Sequence, residues 1–286
     1  LKINVFLNNK FLKYKTPLNI TENLDFKVFL DIAKFVREEK HLLILRGEPP
    51  LYPQFENALK ELKDVDFILS TEGYDVERLI AYPRKIPYLS LLYDGFKNDE
   101  IKQVPLSANI FRVINNFANK DSIFRFNYTI SPFNFDWLVI DAQIMRQFIT
   151  KYKNMARPFF NIYQQGLLYG ESTFSWTPLT KTLIDFLNQT MVLTENELKT
   201  MSMWLTKQLY QCISPQNNIT IMSDGTMRLC MSHRINEVVA DLNKMSLTDA
   251  TRVSKNLRKN AEECPFRFSC WMSYHFKDNV GTKDVS

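Results

Sequence analysis

The residues best suited to chemistry are four cysteines, Cys212, Cys230, Cys264 and Cys270, all in the last third of a 286-residue chain. Cys212 and Cys230 are spaced C-x17-C, and 34 positions after Cys230 comes the C-x5-C of Cys264 and Cys270. Between the first two lies Ile219 to Met222, then the turn signal Ser223-Asp224-Gly225-Thr226, then Met227 to Cys230, which predicts a hairpin that draws the two thiols together. Cys264 and Cys270 share one short loop. Four thiolates meeting at one place suit a tetrahedral zinc ion or a 4Fe-4S cluster, because both take soft sulfur ligands and leave no further position to fill. Buried free thiols are the alternative, and the clustering of every cysteine in one region argues against it. His233 could replace one sulfur, but its place three residues after Cys230 reads as incidental.

A second candidate site is His41 to Pro53, HLLILRGEPPLYP. His41 to Leu45 fits a buried parallel strand, which Arg46-Gly47-Glu48-Pro49-Pro50 stops before a helical pattern opens at Pro53. In α/β proteins ligands sit beyond the carboxyl ends of the strands. There Gly47 lets backbone approach a ligand, and Glu48 can accept hydrogen bonds from an ammonium or hydroxyls. An ordinary strand-to-helix turn with a solvated Glu is the competing reading.

The elements that must position these residues alternate along the chain. Leu1 to Leu7 reads as a first strand, followed by a polar loop from Asn8 to Asn19. Thr21 is a plausible N-cap for a helix with Phe26, Phe29, Leu30, Ala33 and Val36 on one apolar stripe. After strand two, Phe55, Ala58, Leu59 and Leu62 repeat at helical spacing. Strands follow at Val65 to Ser70, Ile86 to Tyr93, Ile123 to Ser131 and Pro158 to Tyr163, with helices around Ala108 to Phe117 and 141 to 153 between them. Six strands separated by helices predict parallel βαβ units. Gly47, Gly73, Gly95 and Gly166 each fall just after a strand, which marks the strand-end face as the candidate site. From about Leu183 the pattern changes, giving an expected organisation of an α/β domain over 1–182 and a small cysteine-bearing domain over 183–286.

At 33.7 kDa, with 45% hydrophobic and 23% charged residues, the chain can bury a substantial core. Its net charge of +5 is spread without a Lys/Arg block, so nucleic acid is not indicated as a partner. No apolar run reaches the ~18 residues of a membrane span, and the N-terminus lacks a signal pattern, so no membrane partner and a cytoplasmic location are expected.

Taken together, these stretches resemble the radical S-adenosylmethionine (AdoMet) enzymes that carry a C-terminal SPASM or shortened twitch domain. LRGEPPLYPQF resembles the family's GGEP motif, with Arg46 where the first Gly is common. STEGYD resembles the strand-three S/T-N-G segment, with Glu72 in place of Asn, and YLSLLYDGF the strand-four S-x-D-G segment. CISPQNNITIMSDGTMRLC matches the twitch opening and CPFRFSC its closing ligands. The resemblance implies a partial (β/α)6 barrel with a twitch/SPASM-like domain. It makes Cys212, Cys230, Cys264 and Cys270 the ligands of an auxiliary 4Fe-4S cluster. Gly47 and Glu48 would bind the methionyl amino group of AdoMet, with Pro49 holding the loop. Ser90, Thr129 and Ser131 are candidates for its carboxylate or ribose, and Gln164 and Gln165 for the substrate opening. The chemistry implied is AdoMet cleavage to a 5′-deoxyadenosyl radical and oxidative modification of a peptide or protein: thioether formation, crosslinking or dehydrogenation. Implied partners are that peptide, a separate leader-recognition protein, and an electron donor such as flavodoxin or ferredoxin.

One departure divides the readings. The family holds a second, catalytic 4Fe-4S cluster through C-x3-C-x2-C after strand one, and the segment around Asn8 to Phe11 has no cysteine. A gene that carries three cysteines there would encode an enzyme, the reading favoured by the joint survival of the GEP loop, the strand-end glycines and the four-cysteine set. A chain continuous through Asn8 to Phe11 would be a non-catalytic binding or scaffold protein with a structural zinc or iron–sulfur site.

Overall fold

The computed structural model describes residues 1–8, 22–82, 86–118, 120, 122–131, 133–156, 158–162, 218–229 and 238–254, with only the backbone given for 159–162. Six parallel strands come in sequence order: β1 (Lys2–Phe6), β2 (Leu42–Arg46), β3 (Phe67–Thr71), β4 (Tyr88–Leu92), β5 (Ile123–Ile130) and β6 (Phe159–Ile162). The helices between them are α1 (Phe26–Glu39), α2 (Phe55–Glu61), α3 (Val76–Ala81), α4 (Asn98–Lys102), α5 (Ser107–Phe117) and α6 (Leu138–Lys151). Single-turn helices at Pro49–Leu51, Gly95–Lys97 and Phe135–Trp137 follow the ends of β2, β4 and β5.

The parallel strands form because their alternate residues are apolar and meet a helix layer. Ile3, Val5, Leu43, Leu45, Leu69, Leu91 and Phe126 are fully buried in one core with Phe29, Ile32, Phe55, Leu79, Val113 and Phe117 from the helices. Helix α1 starts later than the sequence pattern implies. Asp25, not Thr21, caps it, its carboxylate accepting from the Lys27 amide at 2.7 Å. Its buried face is Val28, Phe29, Ile32, Ala33, Phe35 and Val36, while Leu30, expected on that stripe, is exposed. Phe29, Ile32, Ala33 and Val36 follow i, i+3, i+4, i+7 spacing, and Leu30 lies off that stripe.

The predicted hairpin is present as β7 (Asn218–Ile221) and β8 (Thr226–Arg228), turning at Gly225 with φ +82. Strand β7 also pairs in parallel with the far side of β1, and β8 continues to β9 (Ala240–Asp241), so one nine-stranded sheet runs β6-β5-β4-β3-β2-β1-β7-β8-β9. Helix α7 (Leu247–Ser254) is tied to α1 by the Leu247 amide on Asp31 Oδ2 at 2.7 Å. The expected 182/183 boundary lies outside the described residues. None of the described helices is long and apolar enough to cross a membrane.

Candidate active site

The loops after β2, β3 and β4 turn sharply enough to need glycine: Gly47, Gly73 and Gly95 have φ of +80, +85 and +76. Glu48, next after Gly47, is completely buried. Its Oε2 accepts from the Glu72 amide at 2.7 Å. Its Oε1 accepts from the amides of Gly73 at 3.2 Å and Tyr74 at 3.1 Å and from the Thr71 hydroxyl. A buried carboxylate needs such charge-assisted donors. Glu48 therefore fastens the β2 loop to the β3 loop, which a solvated turn residue would not do. Pro49 and Pro50, both buried, open the single turn behind it.

Asn8, just past β1, holds this loop from the other side. Its Nδ2 donates to the Glu48 carbonyl at 2.9 Å, and its Oδ1 accepts from the Glu48 amide at 3.1 Å. A Cβ on Gly47 would lie 2.6 Å from Asn8 Oδ1, so only glycine admits this clamp. Asn8 also forms an antiparallel bridge with Asn23, and the Leu24 amide donates to the Leu7 carbonyl at 2.9 Å. Asn8 and Asn23 thus stand paired beyond the end of β1, with Asn8 against Gly47. Arg78 braces the outer side: it pairs with Glu56 at 2.5 Å and donates to the carbonyls of Pro50, Tyr52 and Pro53.

Beyond β3 and β4 lies a buried ion triad. Lys102 Nζ, at the end of α4, is 3.4 Å from Glu72 Oε1 and 3.1 Å from Asp94 Oδ2, with all three side chains under a tenth exposed. Burial pushes the Asp94 carboxyl above its ordinary range; Lys102 opposes this and Glu72 adds to it. Next to it, Asp141 from α6 accepts from the Phe96 amide at 2.7 Å and the Tyr128 hydroxyl at 2.6 Å, and its carboxyl is also raised, chiefly by burial. Asn134, fully buried, donates to the carbonyls of Asp94 and Thr129 and accepts from the Ser131 amide and hydroxyl. These contacts set the mouth of the sheet into one connected rim.

The second face of the sheet is mixed, with polar residues set among Leu42, Ile44, Ile68, Tyr88 and Leu92. The polar residues that alternate with the helix-facing core are Lys2, Asn4, Arg46, Ser70, Ser90, Arg125, Asn127 and Thr129. The register Leu45↔Leu69, Ser70↔Ser90↔Arg125 puts Arg46, Ser70, Ser90 and Arg125 in one row across four strands. Arg46 Nε donates to Asn4 Oδ1 at 2.8 Å, and Asn4 Nδ2 donates to the Ile219 carbonyl of β7 at 3.4 Å. Burial and then Arg125 lower the Arg46 guanidinium to about 10, and the same two causes lower Lys2. This face could take anions.

Of the expected site residues, Gly47, Glu48 and Pro49 stand together at the end of β2. Ser90 lies not at a strand end but in the middle of β4, buried on the second face. Thr129 is near the end of β5, and Ser131, just past it, has its hydroxyl engaged with Asn134 and the Phe133 amide. Gln164, Gln165, Cys212, Cys230, Cys264 and Cys270 lie outside the described residues. Missing from the expectation were Asn8, Arg46, Arg125 and Asn127. Alternation in LKINVFL and IFRFNYTIS held the signal for Asn4, Arg125 and Asn127; nothing local marks Asn8.

No protein-family profile and no curated protein matches the chain. Solved structures do. SuiB of Streptococcus suis bound to S-adenosylmethionine aligns with a TM-score of 0.64 at 16% identity, over 94% of this chain and 72% of that one. The same protein bound to precursor peptide SuiA gives 0.64 at 16% identity, over 94% and 70%. The protein anSMEcpe with bound AdoMet gives 0.61 at 15% identity, over 94% and 84%. At this identity the likeness establishes the fold: the chain has the partial barrel that a resemblance to radical AdoMet enzymes implies.

Proposed function

We propose that this chain is a member of the radical AdoMet enzymes that binds AdoMet at the mouth of the partial barrel and oxidatively modifies a peptide or protein in the cytoplasm. The observation that carries the reading is the Gly47-Glu48-Pro49 loop, clamped by Asn8 and the β3 turn at the strand-end face of a fold shared with AdoMet-bound proteins. AdoMet bound there would bring the sulfonium chemistry. This chain's own residues would shape its seat: Gly47 gives close backbone approach, Glu48 fixes the loop, and the Asn134 and Asp141 contacts hold the opposite rim. The peptide-bound SuiB structure supports a peptide as substrate. A flavodoxin or ferredoxin and a leader-recognition protein are the partners that go with this reading, and the four cysteines are the donors suited to an auxiliary 4Fe-4S cluster.

The catalytic cluster does not fit the residues present. Its place would be the segment of sequence that follows Asn8, and no cysteine lies between Leu7 and Asp25. No step is routed through that cluster, and this same observation favours a second reading: a non-catalytic relative that binds AdoMet or a peptide. Two measurements decide. Sequencing the gene across Asn8 to Phe11 must show three cysteines for the enzyme reading to stand. Anaerobically purified protein with dithionite and AdoMet should then release 5′-deoxyadenosine; a colourless, zinc-containing preparation that releases none would leave the non-catalytic reading.

A further inference from the structure

The row Arg46–Ser70–Ser90–Arg125 on the second face is more than a lining. Arg46 has five N–H donors, and among the described residues only Nε is engaged, on Asn4. It is partly accessible yet deep enough that burial is the first cause of its lowered basicity. A second guanidinium, Arg125, is near enough to disfavour its charge. Beside Arg46 in the row, Ser70 is 3% exposed, and its hydroxyl has no hydrogen-bond partner among the described residues. Thr220 of β7, on the same face level with Asn4, is likewise fully buried with an unpartnered hydroxyl. Buried polar groups in this state are rare because each costs desolvation without a return bond.

We propose that this row is a carboxylate-binding subsite, with Arg46 as its specificity-determining residue, and that it takes an acidic side chain, Asp or Glu, of the peptide substrate. The inference rests on the peptide-modifying reading above. A planar carboxylate offers two oxygens to the guanidinium fork, its charge offsets the Arg46–Arg125 repulsion, and it can accept from a serine hydroxyl as well. Asn4, itself tied to β7, holds the fork's orientation.

The test uses the full chain and two capped peptides, acetyl-Gly-Glu-Gly-amide and acetyl-Gly-Gln-Gly-amide, titrated at low ionic strength with and without AdoMet. The Glu peptide should bind about 10-fold more tightly than the Gln peptide, the size of one charge-assisted pair. Arg46→Gln should abolish the difference, Arg46→Lys should keep part of it, and AdoMet affinity should stay within about 2-fold in both. Equal binding of the two peptides by the wild-type chain overturns the subsite whether or not the variants fold. A preference that survives Arg46→Gln, or a variant that loses AdoMet, also overturns it. Wild-type chain that fails to bind AdoMet but still prefers the Glu peptide would sink the radical AdoMet reading and leave the subsite standing.

Discussion

Replacing Glu48 by Gln separates a residue that pins the site from one that only touches the ligand. The best placement of a Gln amide puts its carbonyl at the Oε1 position, keeping Thr71, Gly73 and Tyr74 as donors, and its NH2 at the Oε2 position, facing the Glu72 amide. That turns one acceptor into a donor against a buried N–H, which costs about 1–3 kcal/mol. The three surviving bonds fall from charge-assisted to neutral, a further loss of about 1 kcal/mol each, partly offset by no longer burying a charge. The expected net destabilisation is about 2–4 kcal/mol. Equilibrium urea unfolding followed by tryptophan fluorescence reads it as a lower midpoint at unchanged slope. AdoMet titration on the folded fraction should show weaker binding as well, because the β2 loop loses its anchor. A variant as stable as wild type that has lost only AdoMet affinity would refute the pinning argument and return Glu48 to a purely ligand-facing role.

Lys102→Met leaves Glu72 and Asp94 facing each other without their shared cation, and should destabilise by about 3–5 kcal/mol at pH 7. With the Asp94 carboxyl, already raised by burial, relieved of the Lys102 charge that opposes the rise, that loss should shrink as the pH falls toward 4, and thermal melts across that range would show it; a loss independent of pH would count against the triad. Asp141→Asn should behave in the opposite sense. The Asp141 carboxyl is raised above its ordinary 3.8 in the folded state, so wild-type stability is greatest below that value and declines as pH rises through the raised one. The Asn variant keeps an acceptor for the Phe96 amide and lets Tyr128 reverse its hydroxyl, so its melting temperature relative to wild type should improve between pH 4 and 8. Gly95→Ala places a Cβ inside the Asp141 carboxylate at a φ of +76 and should cost about 3 kcal/mol or more, read by the same melts; a neutral result would mean the rim is looser than described.

The sequence by itself determined the order and type of the barrel's strands, since β2 to β5 are short runs closed by Gly or Pro and helical repeats follow β1, β2, β4 and β5; the short α3 after β3 carried no such signal. It marked Gly47, Gly73 and Gly95 as strand-end turns, and it marked the β7–β8 hairpin through Asp224-Gly225, because turn chemistry and period are local properties. It could not show that the hairpin joins β1, or that Asp25 takes over the cap of α1, because both depend on which surfaces meet. Nor could it tell Glu48 the solvated turn residue from Glu48 the buried clamp. Its partners lie 23 to 26 positions away and Asn8 lies 40 away, and only the closing of the sheet brings them within hydrogen-bonding distance. The same closing sets Arg46 and Arg125, 79 positions apart in the sequence, in one row, where desolvation and mutual repulsion turn two unremarkable arginines into a candidate anion site.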